Sequence, residues 1–377
     1  MSIGGSITPT EPARHRTDRL ADAFFERVRI RDEEGALELI RQALATGADH
    51  ETILLEVIAL VQTRVGVMWQ ANELSVAQEH AATHVSERAT GLVLEHGLAR
   101  IGSTDRRGTV VAACVEGEWH GLPVRLLGDV LRLRGWRVTF LGASVPAHHL
   151  AVYLQEATPD VVALSCSLPS HLISAHGMIT AATRTGVPVI AGGAGFGPDD
   201  SLARALGATL WAADARSAAD LLERELPLTL PWPVEEVLAP PAEYASLVRR
   251  RRDLVRSGTE HSRRSYEARG LRLGEAALDR TVEDLGHIVD FLATALYVDD
   301  EKVFTRFLDW TRVVLRTRGV PLDSVAEVLL FLERELFDYP RTCAILRSGR
   351  ALFDGVRAGG DARGRSFASL IRDSGLP

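Results

Sequence analysis

Apolar positions along this chain follow two rhythms, and the change from one to the other divides it into regions. From about Thr17 to Gly102 they recur every three or four residues, in DRLADAFFERV, EEGALELIRQALATG, HETILLEVIALVQTRVGVMWQ and SVAQEHAATHVSERATGLVLEHGL. That is the period of an amphipathic helix. With Gly, Asp and Asn at the breaks it predicts a bundle of four helices over 17–102. Ser75, followed three residues later by Gln78, has the spacing of a capping box at the start of the last of them. Residues 1–16 read as a flexible tail.

Between Arg107 and Glu225 the rhythm becomes that of strands. GTVVAACV, RVTFLG, VVALSCS, PVIAGG and TLWAA alternate with helical stretches such as VRLLGDVLRLRG and AHHLAVYLQEA. Nearly continuous apolar strands alternating with helices predict a doubly wound, five-stranded parallel sheet, a Rossmann-like domain over 107–225. Residues 226–243 are rich in proline and read as a linker. Helical periodicity then returns through YASLVRRRRDLVRSG to TCAILRSGRALFDGVRAG, which predicts an all-helical domain over 244–372.

Composition narrows the possibilities. The net charge of −7 and pI near 6.0 argue against a general nucleic-acid binder or a protein held on anionic lipid. The RRRR run at 249–252 reads as a charged interdomain face. Cys114, Cys166 and Cys343 have neither metal nor redox spacing, which suits a reducing cytoplasm. Neither a signal-peptide core nor a run long enough to cross a bilayer is read from the sequence, so a soluble, cytoplasmic protein is expected.

Candidate chemistry gathers where strands end. EGEWHGLP follows the first strand, LSCSLPSH the third, and Gly192 and Gly193 the fourth; this is the edge at which an open α/β sheet binds ligands. In this order they resemble the cobalamin-binding domain of the methionine-synthase and CarH type, with Glu118, His120, Ser165 and the glycine pair on its signature. Pro123 and Ser167 depart from it. The resemblance implies that His120 is the lower cobalt ligand, with Glu118 as its hydrogen-bond partner. It also implies that Ser165, Ser167, Gly192 and Gly193 line the path of the displaced nucleotide tail.

The bundle narrows the likeness. Trp69, followed ten residues later by Glu79 and His80, resembles the CarH-type light sensors. There the Trp shields a 5′-deoxyadenosyl group, the Glu bonds it, and the His ligates cobalt after light. His84, one turn on, competes for that last role. No winged helix precedes the bundle, so direct DNA binding is not expected.

The domain order resembles the photocobilins, which add a bilin chromophore in a globin- or phycobiliprotein-like domain. For a bilin, with biliverdin the one expected, the candidate residues are His287, Asp290, Arg306, Trp310 and Arg312, among the aromatics Phe291, Tyr297, Phe304 and Phe307. Phe337, Tyr339 and Arg341 form a further cluster, Cys343 is a candidate for covalent attachment, and His287 leaves a heme globin open. The expectation is a non-enzymatic photoreceptor that binds adenosylcobalamin and a bilin, forms a homo-oligomer and signals to a protein partner, with no membrane association. A corrinoid methyl carrier and a cobalamin-dependent antirepressor remain as alternatives, and a mutase subunit is disfavoured because no barrel is present.

Overall fold

The computed structural model describes residues 11–100, 107–228, 241–270, 272, 274–318 and 321–353. The domain limits expected near 102, within 226–243 and at 372, and most of the expected tail, fall wholly or partly outside these residues. Helix α1 (Glu11–Arg29) starts six residues before Thr17, and α2 (Glu33–Ala45) is capped by Asp32, whose carboxylate accepts from Gly35 N at 3.0 Å. Helix α3 (His50–Thr52) then passes through a π-helical stretch, Ile53–Ile58, into α4 (Ala59–Gln70). The fourth helix of the bundle is α5 (Val76–Leu98), and its capping box is formed: Gln78 Oε1 accepts from Ser75 N at 2.8 Å while Ser75 Oγ accepts from Gln78 N at 3.3 Å.

One correction concerns the continuous helix His50–Gln70, which by length and composition is long and apolar enough to cross a bilayer. Its Ile53, Leu54, Val57, Ile58, Val61 and Val65 are buried in the core of the bundle.

The α/β domain follows the strand pattern closely. Strand β1 (Thr109–Cys114) leads to α6 (Gly121–Leu133), β2 (Arg137–Gly142), α7 (Ala147–Ala157) and β3 (Val161–Ser165). After these come α8 (Leu172–Arg184), β4 (Val189–Gly192), α9 (Ser201–Ala205), β5 (Leu210–Ala212) and α10 (Ala215–Glu225). All pairings are parallel, in the order β2-β1-β3-β4-β5. Successive side chains on a strand point to opposite faces. Val110, Ala112 and Cys114 therefore join one apolar core with the bundle, α6 and α10, while Val111, Ala113 and Val115 join a second core on the other face.

That second core is where the C-terminal helices pack: α11 (Ala242–Ala268), α12 (Glu275–Tyr297), α13 (Glu301–Thr317), α14 (Asp323–Glu335) and α15 (Pro340–Ala351). The domain is all-helical as expected, and α11 runs ten residues past its expected end at Gly258. His176 of α8 meets Tyr297 of α12, Nδ1 to hydroxyl, at 2.5 Å. Two of the four arginines in the run turn to their own domain: Arg251 forks onto Asp290 at 2.6 and 2.7 Å, and Arg250 donates to the Glu335 carbonyl, while Arg249 and Arg252 stay exposed as a charged face.

A salt-bridge clasp ties the bundle to the sheet domain. Arg134, just past α6, forks onto Glu51 at 2.8 and 2.9 Å, and Arg216 of α10 reaches both Glu51 and Glu56 at 3.0 Å. Two planar guanidiniums thus share one carboxylate, a geometry lysine could not reproduce.

One charge in the helical domain lacks such support. Asp284 on α12 is 1% exposed, and neither carboxylate oxygen has a hydrogen-bond partner among the described residues. Burial, aided by Glu283 and opposed by Arg280, pushes its pKa well above the usual range. A carboxyl that holds its proton more tightly when folded is a liability above its unfolded pKa, so stability should fall as pH rises from about 4. Asp284→Asn is expected to raise the melting temperature at pH 8 and to leave it nearly unchanged below pH 4. Melting curves of both proteins across this range check the difference.

Candidate functional site

At the strand ends the organising group is Glu118. Its side chain is completely buried. Oε1 accepts from His120 N at 2.9 Å and lies 2.5 Å from His120 Nδ1, while Oε2 accepts from Ser167 N at 2.7 Å and Leu168 N at 3.1 Å. His171 Nδ1 stands 3.5 Å from the same Oε2. The loop after β1 is thereby fastened to the loop after β3. Gly117 makes the turn possible: its φ is +87°, and a Cβ there would meet the His171 ring.

Burial acts against the Glu118 charge, yet the hydrogen bonds from His120, with the His171 imidazole close by, outweigh it and hold its pKa well below the usual carboxylate range. The same bond with Glu118 raises the pKa of His120, with a smaller contribution from the charge of Glu79. With Nδ1 engaged, the imidazole is oriented and Nε2 is left as the nitrogen available to a metal. Trp119, between the two, is 64% exposed at the mouth of the site.

Two cavities that share lining residues lie at this edge of the sheet. The larger, about 630 Å³, separates the bundle residues Leu55 and Gln62 from Leu122, Arg216 and Ser217 of the sheet domain. A narrower one, about 110 Å³, runs beside the sheet and is lined by Ser165, Gly192 and Gly193; Pro123, Asp214 and Ala215 border both. Gly193 has φ +99°, and a Cβ there would strike the Cys166 carbonyl, so the chain can turn past β3 here only as glycine. Ser167 contributes its backbone N–H to Glu118, a role different from the one expected of its hydroxyl.

On the bundle side Glu79 accepts from Thr83 Oγ1 at 2.8 Å and from Gln62 Nε2 at 3.3 Å, and Gln62 lines the large cavity. His80 is 67% exposed, with Nε2 3.6 Å from Glu79 Oε2, whereas His84 lies 3.9 Å from Glu33. The Trp69 ring is buried and stacks on Trp310 of α13 with centroids 6.2 Å apart, at the end of the helix whose Gln62 lines the larger cavity.

The residues expected to hold a bilin are not brought together around one cavity. Asp290 is taken by Arg251, Arg312 by Asp309 at 2.5 Å, and Trp310 by Trp69. Arg306 lies beside the Gly197 turn of the sheet domain, and His287 is half-buried on α12. Phe291, Phe304 and Phe307 are core residues, the first and last stacked at 3.9 Å. Cys343 is buried, and its thiol donates to the Leu336 carbonyl at 3.1 Å, which accounts for it structurally. Sequence patterning missed His171, because a His on a short turn carries no periodic signal. It also missed Asp284, which reads as one more charge among DRTVED until its burial is known.

Comparison with known proteins bears on the bundle and the sheet. Residues 20–93 and 108–222 each match a B12 binding domain family. Trimethylamine corrinoid protein 1 of Methanosarcina acetivorans is 25% identical over 143 residues, 38% of this chain and 66% of its own. The HTH-type transcriptional repressor CarH of Myxococcus xanthus is 41% identical over 113 residues, 29% of this chain and 35% of its own. CarA of the same organism is 30% identical over 169 residues, 44% and 55%. The chain thus spans less than two thirds of the length of each of these relatives. Together the matches support a cobalamin-binding protein.

The geometry fits that group. An imidazole with one nitrogen tied to a buried carboxylate suits cobalt, and the glycine-lined cavity beside the sheet adjoins the cleft through shared walls. Glu118→Ala is expected to weaken hydroxocobalamin binding by on the order of 10- to 100-fold, as loss of such an orienting partner typically does. Titration followed by visible absorption checks this, and an unchanged affinity would remove Glu118 from the site.

Proposed function

We propose that the chain is a light sensor that holds adenosylcobalamin between the helical bundle and the sheet. The observation that carries this reading is the oriented His120, near enough to the bundle to feel the charge of Glu79, in a chain with CarH and CarA among its relatives. When bound, the cofactor supplies visible absorption and a photolabile cobalt–carbon bond. His120 would hold the cobalt, Ser165, Gly192 and Gly193 would line the path of the nucleotide tail, and Glu79 would bond the group bound to the metal. His80, exposed one residue beyond Glu79, would be the replacement imidazole after light, and its recruitment would bias the position of the bundle. The protein acts without catalysis of its own, in the cytoplasm, as a homo-oligomer that signals to a protein partner.

The test is an absorption spectrum of protein loaded in the dark with adenosylcobalamin and then exposed to green light. A bis-imidazole spectrum after light, lost in His80→Ala, is the expected result, with uptake itself weakened in His120→Ala. A methyl-bearing form stable to light would favour a corrinoid methyl carrier instead, a reading supported by the likeness to a trimethylamine corrinoid protein.

A bilin in the helical domain is a second part of the proposal, and one observation moves its expected centre. Asp284, with two unpartnered oxygens, borders a cavity with Ser262, Tyr266 and Thr281, and pyrrole N–H groups are donors that would draw the proton off this carboxyl and pair with the carboxylate. The cavity is about 30 Å³, so a tetrapyrrole would enter only with separation of α11, α12 and α14. Biliverdin added to the protein should give a shifted long-wavelength band that Asp284→Asn weakens, whereas the spectrum of free biliverdin alone would remove the bilin.

A further inference from the structure

The C-terminal helices pack on the face of the sheet opposite the bundle, yet α13 reaches around to touch the bundle itself. At its N-terminal half, Arg306 Nη1 lies 3.4 Å from where a Cβ on Gly197 would stand, beside the turn that follows β4. At its C-terminal end it closes on Trp69: Trp310 stacks on the indole, and Arg318, only 6% exposed, places its guanidinium 5.1 Å from the ring centroid.

The backbone there is engaged as well. Thr317 Oγ1 donates to the Gln70 carbonyl at 3.2 Å, and Arg318 Nη2 to the Trp69 carbonyl at 3.4 Å. These are carbonyls at the C-terminal end of α4, where a cation is favoured by the helix dipole and unsatisfied acceptors need donors. Trp310 is packed against both apolar cores of the molecule. Helix α13 therefore reaches from the turn after β4 to the end of α4, the helix whose Gln62 lines the larger cavity.

We propose that Trp310 and Arg318 are positioning residues for the cobalamin cap: they hold Trp69 and the end of α4 in place from the C-terminal domain, and through them that domain senses the upper ligand. This rests on the cobalamin reading above. The contact is a two-sided constraint, since any group that displaces the end of α4 must also shift α13. A bulky upper ligand is the kind of group that does so, and a small one is not.

The experiment compares adenosylcobalamin with hydroxocobalamin on the full chain, for the unmutated protein, Trp310→Ala, Trp310→Phe and Arg318→Gln. Loss of the stack is expected to lower the adenosyl-to-hydroxo affinity ratio by roughly tenfold, in line with the strength of aromatic pairs, while Trp310→Phe retains most of it. Amide exchange adds a readout that needs no variant of α13: adenosylcobalamin should slow exchange across residues 301–318, and Trp69→Ala should abolish the slowing. Absence of any cobalamin uptake by the unmutated protein would overturn the cofactor reading. Uptake with an unchanged ratio in both Trp310→Ala and Arg318→Gln, or with no change in exchange at 301–318, would overturn this inference alone. Should Trp310→Ala fail to fold, Arg318→Gln and the exchange measurement decide.

Discussion

A carboxylate withdrawn from water must find donors or lose its charge, and Glu118 meets that constraint by recruiting two loops. The bond to His120 fixes which nitrogen of the imidazole is presented outward. The bonds to Ser167 and Leu168 fix the loop after β3, which in turn seats the glycine turn after β4 through the Cys166 carbonyl. The side chain acts as a keystone: the loop geometry of three strand ends is referred to one buried group, and the imidazole is already oriented by the protein alone.

The sheet divides the molecule by the simplest of rules, alternation along a strand. Because both faces of β1, β3 and β4 are apolar, each face calls for its own cover, and the chain supplies two different ones: a bundle that makes half of the ligand cleft, and a helical domain that shares no wall of it. Communication between them cannot run through a common core. The direct contacts run around the edge, through α13 and the indole pair, while Tyr297 meets His176 of α8 on the far side of the sheet.

Much of this was legible in the sequence because it depends on period. The strands RVTFLG and PVIAGG, the four helices of the bundle and the Ser75 capping box are local patterns, and the structure reproduces them. Glu118, His120 and the glycine pair were legible for a related reason: their spacing along one edge of a sheet is fixed by topology. What escaped depends on contacts between distant segments. Trp69 is legible by its spacing to Glu79 and His80, but the indole it stacks on is 241 positions away, on α13, and leaves no local signal. Asp290 was chosen and Asp284 overlooked although the two are six residues apart on α12, because only the packing of α11 and α14 decides which carboxylate is paired and which is buried alone.

The wide turn at Ile53–Ile58 gives the long helix of the bundle a change of phase. A π-helical turn takes up an extra residue, so the face presented by everything after it is rotated by about 100° relative to an unbroken α-helix. Glu51, before the turn, meets arginines of the sheet domain, while Gln62 and Trp69, after it, meet the cap and α13. One rod thus serves three neighbours from different angles, and a twist applied at either end is delivered to the other as a rotation of its contacts.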